Sequence, residues 1–270
     1  MKQIAKIDDK SDLIELYNVC FPGEEEYCEK FFDLVWRPEN TLVYRTDGKI
    51  VSMIQMFELT LTDGVFEYSA YYIFGAATHP DYRGRSIMRE LISESERINC
   101  DKDFSVLIAA SEGLKTFYGR LGYNVGFSFA KDVINAGNYD IAYEMIDFAK
   151  CEENEAISAA NEINRIYHGA VRGTVAAVRS AEFILKELSC REAKLFLCGN
   201  SYAIAEFSEN EVFFTEYFGD DSEKLMAQIL HDYGAVNAGA CSLGHTHSFG
   251  MYKNLSCRTE INGYLNLLFN

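Results

Sequence analysis

The chain has 270 residues, 48% hydrophobic and 24% charged, an ordinary globular composition that allows one large domain or two modest ones. Its formal charge of −16 argues against a nucleic-acid partner, which needs a basic face, and suits either an amine-bearing cationic partner or solubility alone. No apolar run approaches the ~20 residues of a membrane helix, the opening MKQIAKIDDKSD has no apolar signal core, and the cysteines are scattered, so a cytoplasmic chain with free thiols and no membrane association is expected.

In chain order, the apolar spacing from Ser11 to Phe21 predicts a helix behind a Ser11 cap, and Glu24 to Trp36 predicts a second that ends before Pro38. Thr41 to Tyr44 and Ile50 to Leu61 read as strands around an Asp47-Gly48 hairpin turn, and Asp63-Gly64 turns into a long strand from Phe66 to Ala77. A helix from Ile87 to about Ile98, a strand from Ser105 to Ala109, a helix from Leu114 to Leu121 and a strand from Tyr123 to Phe129 follow. Tyr139 to Phe148 is expected to close this half as a strand. The order gives an α/β (α+β) fold with a mainly antiparallel sheet flanked by helices. It is not a doubly wound fold, because hairpins precede the loop after the long strand.

A composition shift at Lys150-Cys151-Glu152-Glu153 predicts two domains, 1–150 and 151–270. In the second, helices over Ala156–Tyr167 and Ser180–Leu188 precede three strands, Lys194–Cys198, Tyr202–Phe207 and Val212–Tyr217, then a helix over Ser222–Tyr233. Ala238–Ser242, Met251 and Tyr264–Phe269 add strand material. This echoes the first half, but its loop, Phe218 to Ser222, carries Asp220 and Asp221 where the first half carries arginines, and two carboxylates repel a diphosphate.

The stretch from Tyr71 to Arg89 holds the clearest chemical signal. An apolar strand stops at His79-Pro80, a polar turn follows, and an amphipathic helix starts at Ile87. Strand, turn and helix in that order aim free backbone N–H groups and the positive end of a helix dipole at one point. With Arg83, Arg85 and Arg89 alongside and Gly84 permitting close approach, this is a candidate cradle for the pyrophosphate of a phosphorylated cofactor.

These residues resemble the GNAT N-acetyltransferase superfamily. Its acetyl-coenzyme A loop reads Arg/Gln-x-x-Gly-x-Gly/Ala, matched here by Arg83-Gly84-Arg85-Ser86-Ile87-Met88 except that Ser86 and Met88 replace small residues. A second family run, aromatic-Tyr-x-x-Leu-Gly-Tyr, appears as Phe117-Tyr118-Gly119-Arg120-Leu121-Gly122-Tyr123. The two-part layout is similar to the enhanced-intracellular-survival type, with a degenerate GNAT-like second half.

The resemblance implies acetyl-CoA as cosubstrate and direct transfer to a small-molecule or peptide amine. Ala76, Ala77 and Thr78 would meet the pantetheine arm, and backbone from Gly84 through Arg85, Ser86, Ile87 and Met88 to Arg89 the pyrophosphate. Ser111 stands where many relatives have a cofactor-touching asparagine. Tyr118 matches the tyrosine that protonates the departing thiolate. The motif leaves the base open: Glu67 at the start of the central strand, a water relay, and the terminal carboxylate of Asn270 all qualify.

Two other readings stand beside this one. A non-catalytic acyl-CoA-binding or regulatory module fits the same loop. Cys241, His245 and His247 could approach a metal but lack a fourth ligand, so no metal is expected. The sequence sets no oligomeric state.

Overall fold

Asp47 and Gly48 both adopt positive φ, 51° and 80°, the backbone a two-residue hairpin turn requires, and they fix the register of the strands on either side. The computed structural model describes residues 1–208, 211–256 and 259–266. In chain order the elements begin with β1 (Lys2–Ile4), α1 (Lys10–Cys20), α2 (Glu25–Leu34), β2 (Thr41–Thr46), β3 (Lys49–Thr62) and β4 (Glu67–Thr78). Then come α3 (Ile87–Ile98), β5 (Phe104–Ile108), α4 (Glu112–Gly119), β6 (Asn124–Asn135), β7 (Glu144–Asp147), α5 (Glu153–Ala170) and β8 (Val175–Ala177). The rest are α6 (Ala181–Arg191), β9 (Lys194–Cys198), β10 (Ser201–Phe207), β11 (Val212–Phe218), α7 (Ser222–Asp232), β12 (Asn237–Leu243), β13 (His247–Asn254) and β14 (Gly263–Tyr264).

The chain forms two compact units. The first comprises Met1–Thr62, Phe66–Gly126 and Phe249–Ile261; the second comprises Asp63–Val65, Phe127–Ser248 and Asn262–Asn270. The division therefore does not follow a single cut near residue 150. The expectation that the stretch around Tyr139 to Phe148 closes the first half is also corrected: β7 pairs with β9 in the second unit. The strand that completes the first unit's sheet comes from far down the chain, with Gly250 to Asn254 of β13 running antiparallel along Ile108 to Phe104 of β5. Local spacing carries no signal for a partner more than a hundred residues away in sequence, and hence the misassignment.

In the first unit the strand order is β1-β2-β3-β4-β5-β13, antiparallel except for β4 and β5. One face buries Leu91, Ile92 and Tyr118 from α3 and α4 against Leu42, Ile54, Tyr71, Ile73 and Leu107. The other face stacks Phe31 of α2 on Phe57 and Phe74. Lys253 of β13 is tied to Glu96 of α3 at 2.7 and 2.8 Å, and the Gly126 backbone fits directly under the Tyr252 ring.

The second unit repeats the scheme as β7-β9-β10-β11-β12-β6, again with one parallel pair, β11 and β12. Its α5 and α6 cover Tyr167, Ile184, Leu195, Tyr202 and Tyr264, while α7 packs Leu225, Met226, Ile229 and Leu230 on the opposite face. Among the described residues, no helix is long and apolar enough to cross a membrane.

Candidate active site

The long central strand β4 changes geometry before it ends. Met53 of β3 lies opposite Ala77 and Gln55 opposite Phe74, so Ile54 alone faces both Gly75 and Ala76: a bulge, with Gly75 at φ 58°. A glycine inside an apolar strand was the sequence signal for it. On its other edge β4 pairs with β5 only from Ala70 opposite Phe104 to Ile73 opposite Leu107. Beyond that β5 follows β13, where the Ala109 N–H donates to the Phe249 carbonyl at 3.2 Å. The last residues of β4 thus leave the β5 ladder at the bulge, and an extended amide chain could lie along that edge.

The loop after β4 is held by its own backbone and side chains. The His79 N–H donates to Val51 O at 2.9 Å, and its ring Nδ1 accepts the Asp81 N–H at 3.3 Å, so His79 serves the turn. Arg83 Nε donates to Thr78 O at 3.0 Å, and Arg85 donates to Asp81 O at 2.9 Å with its guanidinium 5.1 Å above Tyr82. Ser52 Oγ reaches Ala77 O at 2.7 Å and Thr78 Oγ1 at 2.9 Å, fixing the strand end.

The N-terminus of α3 is open. Ser86 caps it in the left-handed conformation, φ 61°, with no side-chain hydrogen bond to the first turn, and Gly84 at φ 75° has nothing within 4 Å of where a Cβ would stand. The first-turn N–H groups of Ile87, Met88 and Arg89 therefore lack the acceptor that an N-cap side chain supplies elsewhere. Ile87 is buried and Met88 packs on the core, so they anchor the turn. Among the described residues, Arg83, Arg85 and Arg89 have no carboxylate partner, in a chain of net charge −16. These features fit a diphosphate, which would receive both main-chain donors and cations.

Tyr118 lies in the α3/α4 core at 5% exposure, its ring against Phe117 and Tyr123. Burial pushes its phenol up to about 12, and its hydroxyl has no hydrogen-bond partner among the described residues. Ser111 is committed locally: its Oγ caps α4 by accepting the Leu114 N–H at 3.3 Å. Glu67 is not brought to the site. It opens β4 opposite Thr62, whereas the bulge and loop lie at the far end, and strand geometry puts Thr78 roughly 35 Å away. The reason is plain: β4 runs extended from Glu67 to the bulge, so its first residue cannot approach its last. Asn270 lies outside the described residues. His245 Nδ1 pairs with Ser128 Oγ at 2.9 Å and His247 stacks on Phe129, and among the described residues no group of acids, histidines or cysteines is arranged to hold a metal.

The corresponding corner of the second unit is filled. Ser201 Oγ accepts the Asp221 N–H at 3.0 Å, Ser222 Oγ donates to Gly219 O at 2.7 Å, and a Cβ on Gly219 would overlap Asn200 O at 2.3 Å. No cradle like that before α3 exists there.

Comparison with known proteins agrees with this geometry. Residues 3–126 match the model of the acetyltransferase (GNAT) domain. The fold is similar to a GCN5-related N-acetyltransferase from Anabaena variabilis: TM-score 0.70, 15% identity, covering 95% of this chain and 73% of that one. It is similar also to Eis1 from Mycobacterium abscessus: TM-score 0.63, 10% identity, covering 95% and 74%. A tandem GNAT protein of the clavulanic acid biosynthesis pathway aligns at TM-score 0.56 and 10% identity, covering 96% and 99%. At these identities the likeness is one of fold. No curated protein matches the chain.

Proposed function

We propose that the first unit is an acetyl-CoA-dependent N-acetyltransferase that moves the acetyl group directly to a primary amine of a cationic substrate. The observation that carries this reading is the uncapped N-terminus of α3 beside arginines without acid partners, within the residues that match the GNAT domain. Bound acetyl-CoA would supply an acetyl thioester, an activated acyl group with a thiol leaving group.

The first-turn amides of α3, with Gly84, Arg85 and Ser86, would hold the diphosphate, and Ala76 to Thr78 the pantetheine amides. The bulge at Gly75 and Ala76 takes a main-chain donor out of the ladder, available to polarise the thioester oxygen. Tyr118 is a donor kept fully protonated at neutral pH. A phenol near 12 is a weaker acid than a thiol near ~8.5, so its role is to hydrogen-bond the developing thiolate, and proton delivery is completed as the product leaves. The amide bond forms as the C–S bond breaks, with no cysteine needed as nucleophile.

A second reading, a non-catalytic acyl-CoA-binding module, is favoured by the enclosure of Tyr118 among core rings. Calorimetric titration with acetyl-CoA, followed by free-thiol release across a panel of primary amines, separates the two. Binding with amine-dependent release is expected; binding without release would establish the module instead.

A further inference from the structure

Side chains that no motif identifies converge on the β4 bulge. A Cβ built on Gly75 would lie 3.6 Å from Gln55 Cγ and 3.9 Å from Tyr17 Cε2, so β3 and α1 close on the bulge together. Tyr17 is 3% exposed, and its hydroxyl donates to Glu24 Oε2 at 2.8 Å. Burial, then the Glu24 carboxylate, push the Tyr17 phenol well above its ordinary range, so it stays a donor. Glu24 itself is exposed, at the turn between α1 and α2.

Glu24 differs from its acidic neighbours. Glu25 accepts the Gly23 N–H at 3.1 Å and Glu26 lies 3.7 Å from Lys30. Glu24 has no cation among the described residues, and only one of its oxygens is engaged, by a neutral phenol. An anchored, solvent-facing carboxylate beside a bulge is placed to receive an ammonium group.

Gln55 adds an independent observation. Thr41 Oγ1 lies 2.6 Å from Gln55 Oε1 and 3.1 Å from Arg37 O, and itself receives Trp36 Nε1–H at 2.9 Å. With Oε1 turned to Thr41, Nε2 has no hydrogen-bond partner in a residue 1% exposed. A buried donor left unmade costs free energy, which a ligand oxygen at the bulge would recover.

We infer that Glu24, held by Tyr17, is the acceptor-amine site and proton acceptor of this unit, and that it selects amines carried on polycations, with Gln55 Nε2 donating to a ligand oxygen beside it. The inference rests on the transferase reading above. In the step, a proton passes from the ammonium nitrogen to a Glu24 oxygen, and the freed lone pair forms the N–C bond. Glu24 releases that proton to water, and as the C–S pair departs with sulfur the second proton of the acylated nitrogen passes through Glu24 and water to the thiolate.

The test uses the full chain and spermidine. Glu24→Gln is expected to bind CoA as the wild type does, showing that it folds. It should bind spermidine roughly fivefold more weakly in the absence of CoA, and lose about a hundredfold in kcat/KM for spermidine acetylation. Glu24→Asp should recover part of both. Tyr17→Phe keeps the charge but frees it, and should lower kcat more than it raises KM. Wild-type spermidine affinity and turnover in Glu24→Gln would overturn the inference while leaving the transferase reading intact. CoA binding by the wild type without acetylation of spermidine or any primary amine would overturn both.

Discussion

Arg179 and Glu216 meet in the core of the second unit with neither side chain exposed, the guanidinium Nη1 donating to both carboxylate oxygens at 2.9 and 3.0 Å. Tyr202 donates to the same carboxylate at 2.6 Å, and the guanidinium sits 3.5 Å from the Tyr167 ring centroid. Glu216 directly follows a bulge in β11 at Thr215, the counterpart of the bulge in β4. Where the first unit offers a bulge to a ligand, the second packs a charged network against it.

That network is expected to be costly to break from one side. Arg179→Met leaves Glu216 charged and buried and should destabilise the second unit by about 3–5 kcal/mol, whereas the double replacement Arg179→Met with Glu216→Leu should recover most of the loss. Urea denaturation of both variants, read by the fluorescence and far-ultraviolet signals, checks this.

Gly126 permits the approach of the late-coming strand β13. A Cβ there would stand 2.4 Å from the Tyr252 ring and 2.9 Å from Ile261 O. Gly126→Ala is therefore expected to cost about 1–3 kcal/mol through overpacking, measurable as a lower thermal midpoint. An unchanged midpoint would mean that β13 does not seat as described.

Ser86 carries a left-handed backbone without glycine, at a cost of ~1 kcal/mol. Ser86→Gly should raise stability and leave CoA affinity at or above the wild-type value, since its side chain makes no capping bond. Gly84→Ala should do the opposite, because it strains φ 75° and puts a methyl where the diphosphate would approach. Calorimetry on the pair checks both directions.

Alkaline pH should unfold the protein early. Burial raises the phenols of Tyr118, Tyr143 and Tyr217 to about 12, the second with help from Asp232. Between their unfolded value near ~10 and about 12 the native state holds more protons than the unfolded one, so stability is full below pH ~10 and falls as pH rises toward 12. Denaturant midpoints measured at intervals from pH 9 to 12 should fall steadily over that window. A flat profile would contradict the burial of these side chains.

The proposed cofactor side is the part that the sequence can express, because its chemistry is local. Gly84, the arginines and the start of α3 follow one another along a single strand–turn–helix, and Tyr118 belongs to a second short run. The proposed acceptor side carries no local signal, because its members come from separate elements: Tyr17 and Glu24 from α1 and its turn, Gln55 from β3, and the bulge from β4. Glu67 has the residue type and the strand that a base needs, but type cannot report distance along an extended element. The exchange of β7 and β13 between units was hidden for a related reason. Both read correctly as extended or strand-like segments, and strand propensity says nothing about which sheet supplies the partner.

The central claim is that main-chain donors before and within the first turn of α3 grip a diphosphate. Amide hydrogen exchange of the peptide spanning Arg83 to Glu90, with and without saturating CoA, tests it most directly. The account predicts that exchange at Gly84 to Arg89 slows strongly on CoA binding while the filled corner from Gly219 to Lys224 stays unchanged. Identical exchange at Gly84 to Arg89 in the presence of bound CoA would contradict it.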